Sequence, residues 1–126
     1  MLKKAPDIVG VIVGIGVRPA SVEFFLIRRV IEEYVRLKTE NGKARLSYIY
    51  REVAEERGYT VSSVKTIVNK GLTKAFKKTH YKFLYEYFDL ETEFDDKITV
   101  AELCDLIILI QEDRRKYLEN LEKTSC

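Results

Sequence analysis

The stretch Tyr50-Arg51-Glu52-Val53-Ala54-Glu55-Glu56-Arg57-Gly58-Tyr59-Thr60-Val61-Ser62-Ser63-Val64-Lys65-Thr66-Ile67-Val68-Asn69 decides how the chain is read. Two amphipathic segments are separated by a short turn that contains glycine, the sequence form of a helix-turn-helix. Ala54 is small enough for a second helix to cross close to the first. Gly58 supplies a sharp turn that a Cβ would obstruct. Val53, Tyr59, Val64 and Ile67 fall where the two helices must share a core, and Thr60 is placed to cap the second one. Arg57 departs from the pattern, since an apolar residue is common at the end of the first helix.

Working outward, the rest of the chain reads as helix too. It has 126 residues with only two prolines and six glycines, which favours long helices over a turn-rich β architecture. A hydrophobic fraction of 46% is enough to fold, and the length suits a single domain over residues 1–126. Six helices are expected. The first covers about 5–16, and the second starts with Pro19 in its first turn and runs to about Lys38. The third covers about 44–57, the fourth about 61–79, the fifth about 81–89 and the sixth about 99–121. In the second, Phe24, Ile27, Ile31, Tyr34 and Val35 recur at helical spacing. Val22, Leu26 and Val30 widen that stripe, as in a central buried helix. Asn41-Gly42 ends it. Glu91–Asp96 reads as a loop, and the polar end of the sixth helix, Gln111–Lys123, is expected to project into solvent beyond the packing positions Leu103, Leu106, Ile107 and Ile110. The fold class expected is therefore all-α, a six-helix bundle-like domain.

The fourth helix divides into faces. At ~100° per residue, Val61, Val64, Val68, Leu72 and Ala75 lie on one side, and Gly71 joins them as a point of close helix contact. The other side carries Ser62, Ser63, Thr66, Asn69, Lys70, Thr73 and Lys77. Short hydrogen-bonding groups near the N-terminus and cations toward the C-terminus suit a helix that meets base edges first and phosphates later. Ser62, Ser63, Lys65, Thr66, Asn69 and Lys70 are the candidate base-reading residues. Thr73, Lys74, Lys77, Lys78, His80 and Lys82 are the candidate phosphate contacts. Residues 60–82 hold six lysines and no acid, a charge of +6. The remainder, 16 basic against 20 acidic residues, is −4, so the net +2 conceals a strongly basic patch.

Other chemistries find little footing. His80 is the only histidine, which excludes a His-based triad or a two-His metal site within one chain. Glu32-Glu33, Glu55-Glu56 and Asp95-Asp96 are sequence neighbours and read as surface charge. Gly14-x-Gly16 resembles the start of a dinucleotide loop, but Pro19 holds the third glycine position and no βαβ pattern follows. Cys104, in an apolar run, reads as a buried thiol and Cys126 as a mobile terminal one, usage that fits a reducing cytoplasm. Met1–Lys4 before Ile8–Val17 imitates a secretory signal, yet Pro6, Asp7 and Arg18 interrupt it and no cleavage site follows. No apolar run approaches the ~20 residues needed to span a membrane. No catalysis, cofactor or metal is expected.

With these motifs in order, the chain resembles the C-terminal DNA-binding effector domain of the sporulation response regulator of endospore-forming bacteria. The resemblance runs from about Asp7 to Lys116. It rests on Ile15-Gly16-Val17, Arg28 and Ile31, Tyr50-Arg51-Glu52-Val53-Ala54, Thr60-Val61-Ser62-Ser63-Val64 and Lys97-x-Thr99-x-x-Glu102. It implies a six-helix fold that contains a helix-turn-helix, duplex DNA as partner, and protomers that dimerise on DNA. Two departures bear on function. The family's exposed arginines and glutamate on the recognition helix are replaced here by Ser63, Lys65, Thr66, Asn69 and Lys70, so the family's target sequence is not expected to carry over. Glu23 also stands where the family has glycine. The family's receiver is absent from this chain, so no phosphoacceptor aspartate is expected to control dimerisation. The function expected is a sequence-specific transcriptional regulator. The rival is a sigma-factor-like or adaptor module that uses Phe76 and the aromatic fifth helix on RNA polymerase, its sigma factor or another regulator. A nonspecific architectural DNA binder is the third option.

Overall fold

A computed structural model describes residues 5–91 and 96–124, the last without its side chain. Six helices follow one another: α1 (Ile8–Gly14), α2 (Val22–Asn41), α3 (Leu46–Arg57), α4 (Val61–Thr79), α5 (Lys82–Tyr87) and α6 (Val100–Thr124). Among the described residues there is no strand. The class is all-α and bundle-like, as the sequence predicts.

Side-chain caps set most of the helix starts. The Asp7 carboxylate accepts from the Gly10 amide at 2.8 Å, Ser21 from Phe24 at 3.1 Å and Thr60 from Ser63 at 3.1 Å. Thr99 and Glu102 form a reciprocal capping box: the Glu102 amide donates to Thr99 Oγ1 at 3.1 Å, and the Thr99 amide to Glu102 Oε1 at 3.0 Å. The boundaries expected for α4 hold at both ends. Those of α1 and α3 shrink to begin after Asp7 and Arg45. Pro19 lies outside α2. It occupies the second position of a turn from Arg18 to Ser21 whose third residue, Ala20, has φ +62°, a place for proline in type II turns. The Ser21 hydroxyl then caps the helix, and as a result Val22 is 53% exposed and lies outside the buried stripe.

α2 is the central helix and packs against α1, α3, α4 and α6. Phe24, Leu26, Ile27, Val30, Ile31 and Tyr34 are buried along it, with Val35 half-buried. Each large aliphatic side chain among them contributes roughly 1.5–3 kcal/mol by leaving water. The Tyr34 hydroxyl donates to Asp105 at 2.9 Å and ties α2 to α6. Leu103, Cys104, Ile107 and Ile110 are buried on α6, whereas Leu106 is half-buried. Burial pushes the Cys104 thiol up to about 12, so it stays protonated near neutral pH. Cys126, Asp95 and most of the expected 91–96 loop lie outside the described residues. The end of α6 is less free than its polarity implies. Gln111 and Arg114 donate to the Pro6 and Ala5 carbonyls, and Asp113 accepts from the Tyr87 hydroxyl; from Arg115 onward most side chains are exposed.

The glycines of the Gly14-x-Gly16 stretch serve packing. A Cβ on Gly14 would lie 2.7 Å from the Phe83 ring, and one on Gly16 would lie 2.9 Å from the Thr79 methyl. Thr79 Oγ1 donates to the Ile15 carbonyl at 2.7 Å, which closes this end of α1 onto the α4–α5 corner.

Between α3 and α4 the chain turns in three residues. Gly58 has φ +72°, and the Tyr59 amide reaches back to the Ala54 carbonyl at 2.9 Å, the six-to-one bond of a Schellman ending. A Cβ at Gly58 would meet nothing within 4 Å, so glycine is required by the left-handed backbone and not by neighbouring atoms. This ending turns Tyr59 outward. The side chain is 41% exposed and does not join the shared core expected of it, while Val53 and Val64 do, and Ile67 packs half-buried against it. Ala54 is buried at 4% exposure. Ala54→Leu should overpack this contact and cost about 1–3 kcal/mol. A thermal melt equal to wild type would show that the helices leave room there.

Candidate nucleic-acid interface

α4 is built with one side committed to the core. Val64, Val68, Gly71, Leu72 and Ala75 are buried, spaced by three and four residues. That commitment fixes what faces outward. Ser62, Lys65, Thr66, Asn69, Lys70, Lys74, Lys77 and Lys78 are exposed, while Ser63 and Thr73 are half-buried. Lys65, Thr66, Asn69, Lys70, Thr73, Lys74 and Lys77 line one shallow groove along the helix. Most of the residues selected from sequence are thus brought together.

Within this strip the groups differ in how free they are. Among the described residues, the Thr66 and Asn69 side chains have no hydrogen-bonding partner, so their donors and acceptors are available to a ligand. Ser63 belongs partly to the helix cap, since its hydroxyl accepts from Thr60 Oγ1 at 2.9 Å. The Lys65 ammonium lies 5.7 Å from the centroid of the Tyr50 ring, a cation–π contact that leans it toward α3. Lys74 meets Glu23 at 3.5 Å. The Glu23 carboxyl is held below the usual range, first by a backbone amide and then by Ser21 and Lys74.

The remaining phosphate candidates leave the helix axis. His80 is the left-handed C-cap of α4, with φ +51° and its ring 5.0 Å from that of Phe76. Lys82 sits on α5, in an exposed i,i+4 pair with Glu86 at 3.5 Å. Lys78 turns toward a second concavity, which it lines with Lys74, Glu23, Ser21 and Arg18. Sequence reasoning missed Arg18. It stands far from α4 in the chain, and only the packing of the α1–α2 turn brings it alongside Lys74 and Lys78.

The acids gather elsewhere. Arg29 makes a two-point contact with Glu56, at 3.0 and 2.9 Å, and also meets Glu32 and Glu33. Hydrogen bonding to Glu56 raises Arg29 above its ordinary value. Arg29, Glu33 and Glu56, with Arg36, Glu52 and Glu55, line a groove between α2 and α3 in which carboxylates outnumber cations. Among the described residues, no group of three or more His, Cys, Asp or Glu could hold a metal ion. No described helix is long and apolar enough to cross a membrane. Comparison with protein-family models, with curated proteins and with solved structures gave no match.

Proposed function

We propose that this protein is a sequence-specific duplex-DNA-binding transcriptional regulator in which α3, the turn at Gly58 and α4 act as a helix-turn-helix. The observation that carries the reading is the outer face of α4. It is free of acids, it presents unpartnered Thr66 and Asn69, and it places Lys70, Lys74 and Lys77 beyond them. Hydrogen-bonding groups that precede cations along one exposed helix match a helix whose leading end reads bases and whose trailing end neutralises phosphate. The reading requires no catalysis, cofactor or metal. It places the protein in the cytoplasm with its DNA, where protomers pair on adjacent sites as the resemblance implies. The rival adaptor reading has less surface to work with. Tyr81 and Leu84 are buried, and Phe76, Phe83, Tyr87 and Phe88 pack half-buried against the core, so the aromatic helix spends most of its apolar area inside.

Selection of bound sequences from a random duplex pool tests the proposal. A recovered consensus supports it. Retention without any preference supports an architectural binder, and no retention at low salt overturns DNA binding altogether.

The same helix should show a split between specificity and affinity. Asparagine can bond bidentately to adenine, and threonine can offer its hydroxyl or pack its methyl on thymine. Asn69→Ala should relax preference at one or two base positions, costing about 1–3 kcal/mol on the selected site and little on random DNA. Lys77→Ala should weaken both duplexes alike and shallow the salt slope by about one unit. Equal losses for Asn69→Ala on both duplexes, with altered preference in Lys77→Ala, would reassign the reading face.

A further inference from the structure

A further cationic concavity lies where the last turns of α2, the connection 42–45 and the first turns of α3 meet. Lys43, Arg45, Ser47, Tyr48 and Arg51 line it, and all five are exposed. The stretch 41–51 contains three cations and no acid. None of the three cations pairs with a carboxylate among the described residues. The contrast with α2 is sharp, because Arg28, Arg29 and Arg36 are all held by glutamates there. Cations left unpaired around a concave surface that has no acid in its lining are available to an anion from outside.

The position of the patch identifies that anion. At ~100° per residue, Ser47 and Arg51 lie on the edge of α3 beside Tyr50 and Ala54. Tyr50 is the residue over which Lys65 of α4 leans. Glu52 and Glu56 lie on the other edge, where Glu56 grips Arg29 of α2. Arg51 thus lies on the flank of α3 that continues from Tyr50 and Ala54, and Glu52 and Glu56 lie on the flank that grips Arg29, while Leu37 and Asn41 of α2 close the patch at the start of α3. A duplex whose major groove holds α4 has a phosphate strand on each side of a groove ~12 Å wide. The residue types also differ between the two surfaces. α4 carries five lysines and no arginine, whereas this patch carries two arginines. A lysine is a point charge, but the arginine fork fixes the direction from which a phosphate is held.

We propose that Arg45 and Arg51, with Lys43 and the Ser47 and Tyr48 hydroxyls beside them, grip the backbone phosphates of the strand that borders the groove entered by α4. This inference rests on the DNA reading above and adds to it a clamp that sets the register of α4 on the duplex.

The test compares wild type, Lys77→Ala, and the double variant Arg45→Ala/Arg51→Ala on the selected duplex, by salt titration and by ethylation interference at each phosphate. All three positions are exposed, and matched thermal melts control for folding. The double variant should shallow the salt slope by about two units. It should also abolish interference at one or two phosphates outside the base-read positions, which Lys77→Ala leaves intact. If Lys77→Ala shallows the slope while the double variant changes neither slope nor interference pattern, the clamp is overturned and the DNA reading stands. A patch that serves an acidic protein gives that second result. If wild type shows no salt-dependent retention of duplex, the DNA reading fails and the clamp fails with it.

Discussion

Through the α4 surface alone, a tenfold rise in salt should weaken duplex binding by about 10⁴ to 10⁵, a contribution of about −4 to −5 to the slope of log affinity against log salt. The α4 surface sets this figure. Lys70, Lys77 and Lys78 have no carboxylate partner among the described residues, and Lys65 has only the Tyr50 ring. Lys74 is held by Glu23 at 3.5 Å across an exposed surface, a pair of little net worth that a phosphate can displace. Five cations that each release about 0.9 of a counterion give a slope near −4.5. Each phosphate held by the α3 clamp steepens it by about the same increment. The measurement is a fluorescence-anisotropy titration on one duplex at five or six salt concentrations. A slope near zero would remove DNA from the list of partners, because cations that neutralise phosphates must release counterions.

The parts of the molecule legible in the sequence are those whose cause is local. α4 starts at Val61 and ends at Thr79 as expected, because a threonine cap and an unbroken 3.6-residue apolar period are both local to the stretch. The wide stripe of α2 predicted a central helix for the same reason. Where two local signals compete, the sequence does not rank them. Pro19 and Ser21 both mark a helix start, and the hydroxyl prevails because it satisfies the Phe24 amide, which a proline ring cannot do. The spacing of Tyr59 from Val53 and Val64 points it inward, yet the left-handed step at Gly58 rotates it outward. The site divides in the same way. Thr66, Asn69 and Lys70 share one helix face, so periodicity finds them. Arg18 gains its meaning from Lys74 and Lys78, far along the chain, and Arg45 and Arg51 from the fold of α2 onto α3; no period connects any of the three to α4.

Gly71→Leu should lower the stability by about 3 kcal/mol, the upper end of what overpacking costs, and the melting temperature by roughly 10 °C. Gly71 sits where α4 crosses α2. A Cβ built there would lie 2.8 Å from Glu23 Cβ and 2.9 Å from Ile27 Cδ1. The first of these atoms is fixed to the α2 backbone. The second belongs to a side chain only 1% exposed, with no space to retreat into. The helices must therefore move apart, and because α2 is the core against which α4 is registered, the reading face moves with them. Gly71→Ala should cost less, since the clash is smaller and alanine favours the helix by about 1 kcal/mol over glycine. Glu23→Gly removes the atom that the new Cβ would meet first. In a double-mutant cycle, Gly71→Ala should therefore destabilise less in the Glu23→Gly background than in wild type, with a coupling of about 1 kcal/mol. Additive effects would show that Ile27 alone sets the limit. A Gly71→Leu variant that melts with wild type would mean that the two helices can separate without loss, and that the close crossing does not hold α4 in place.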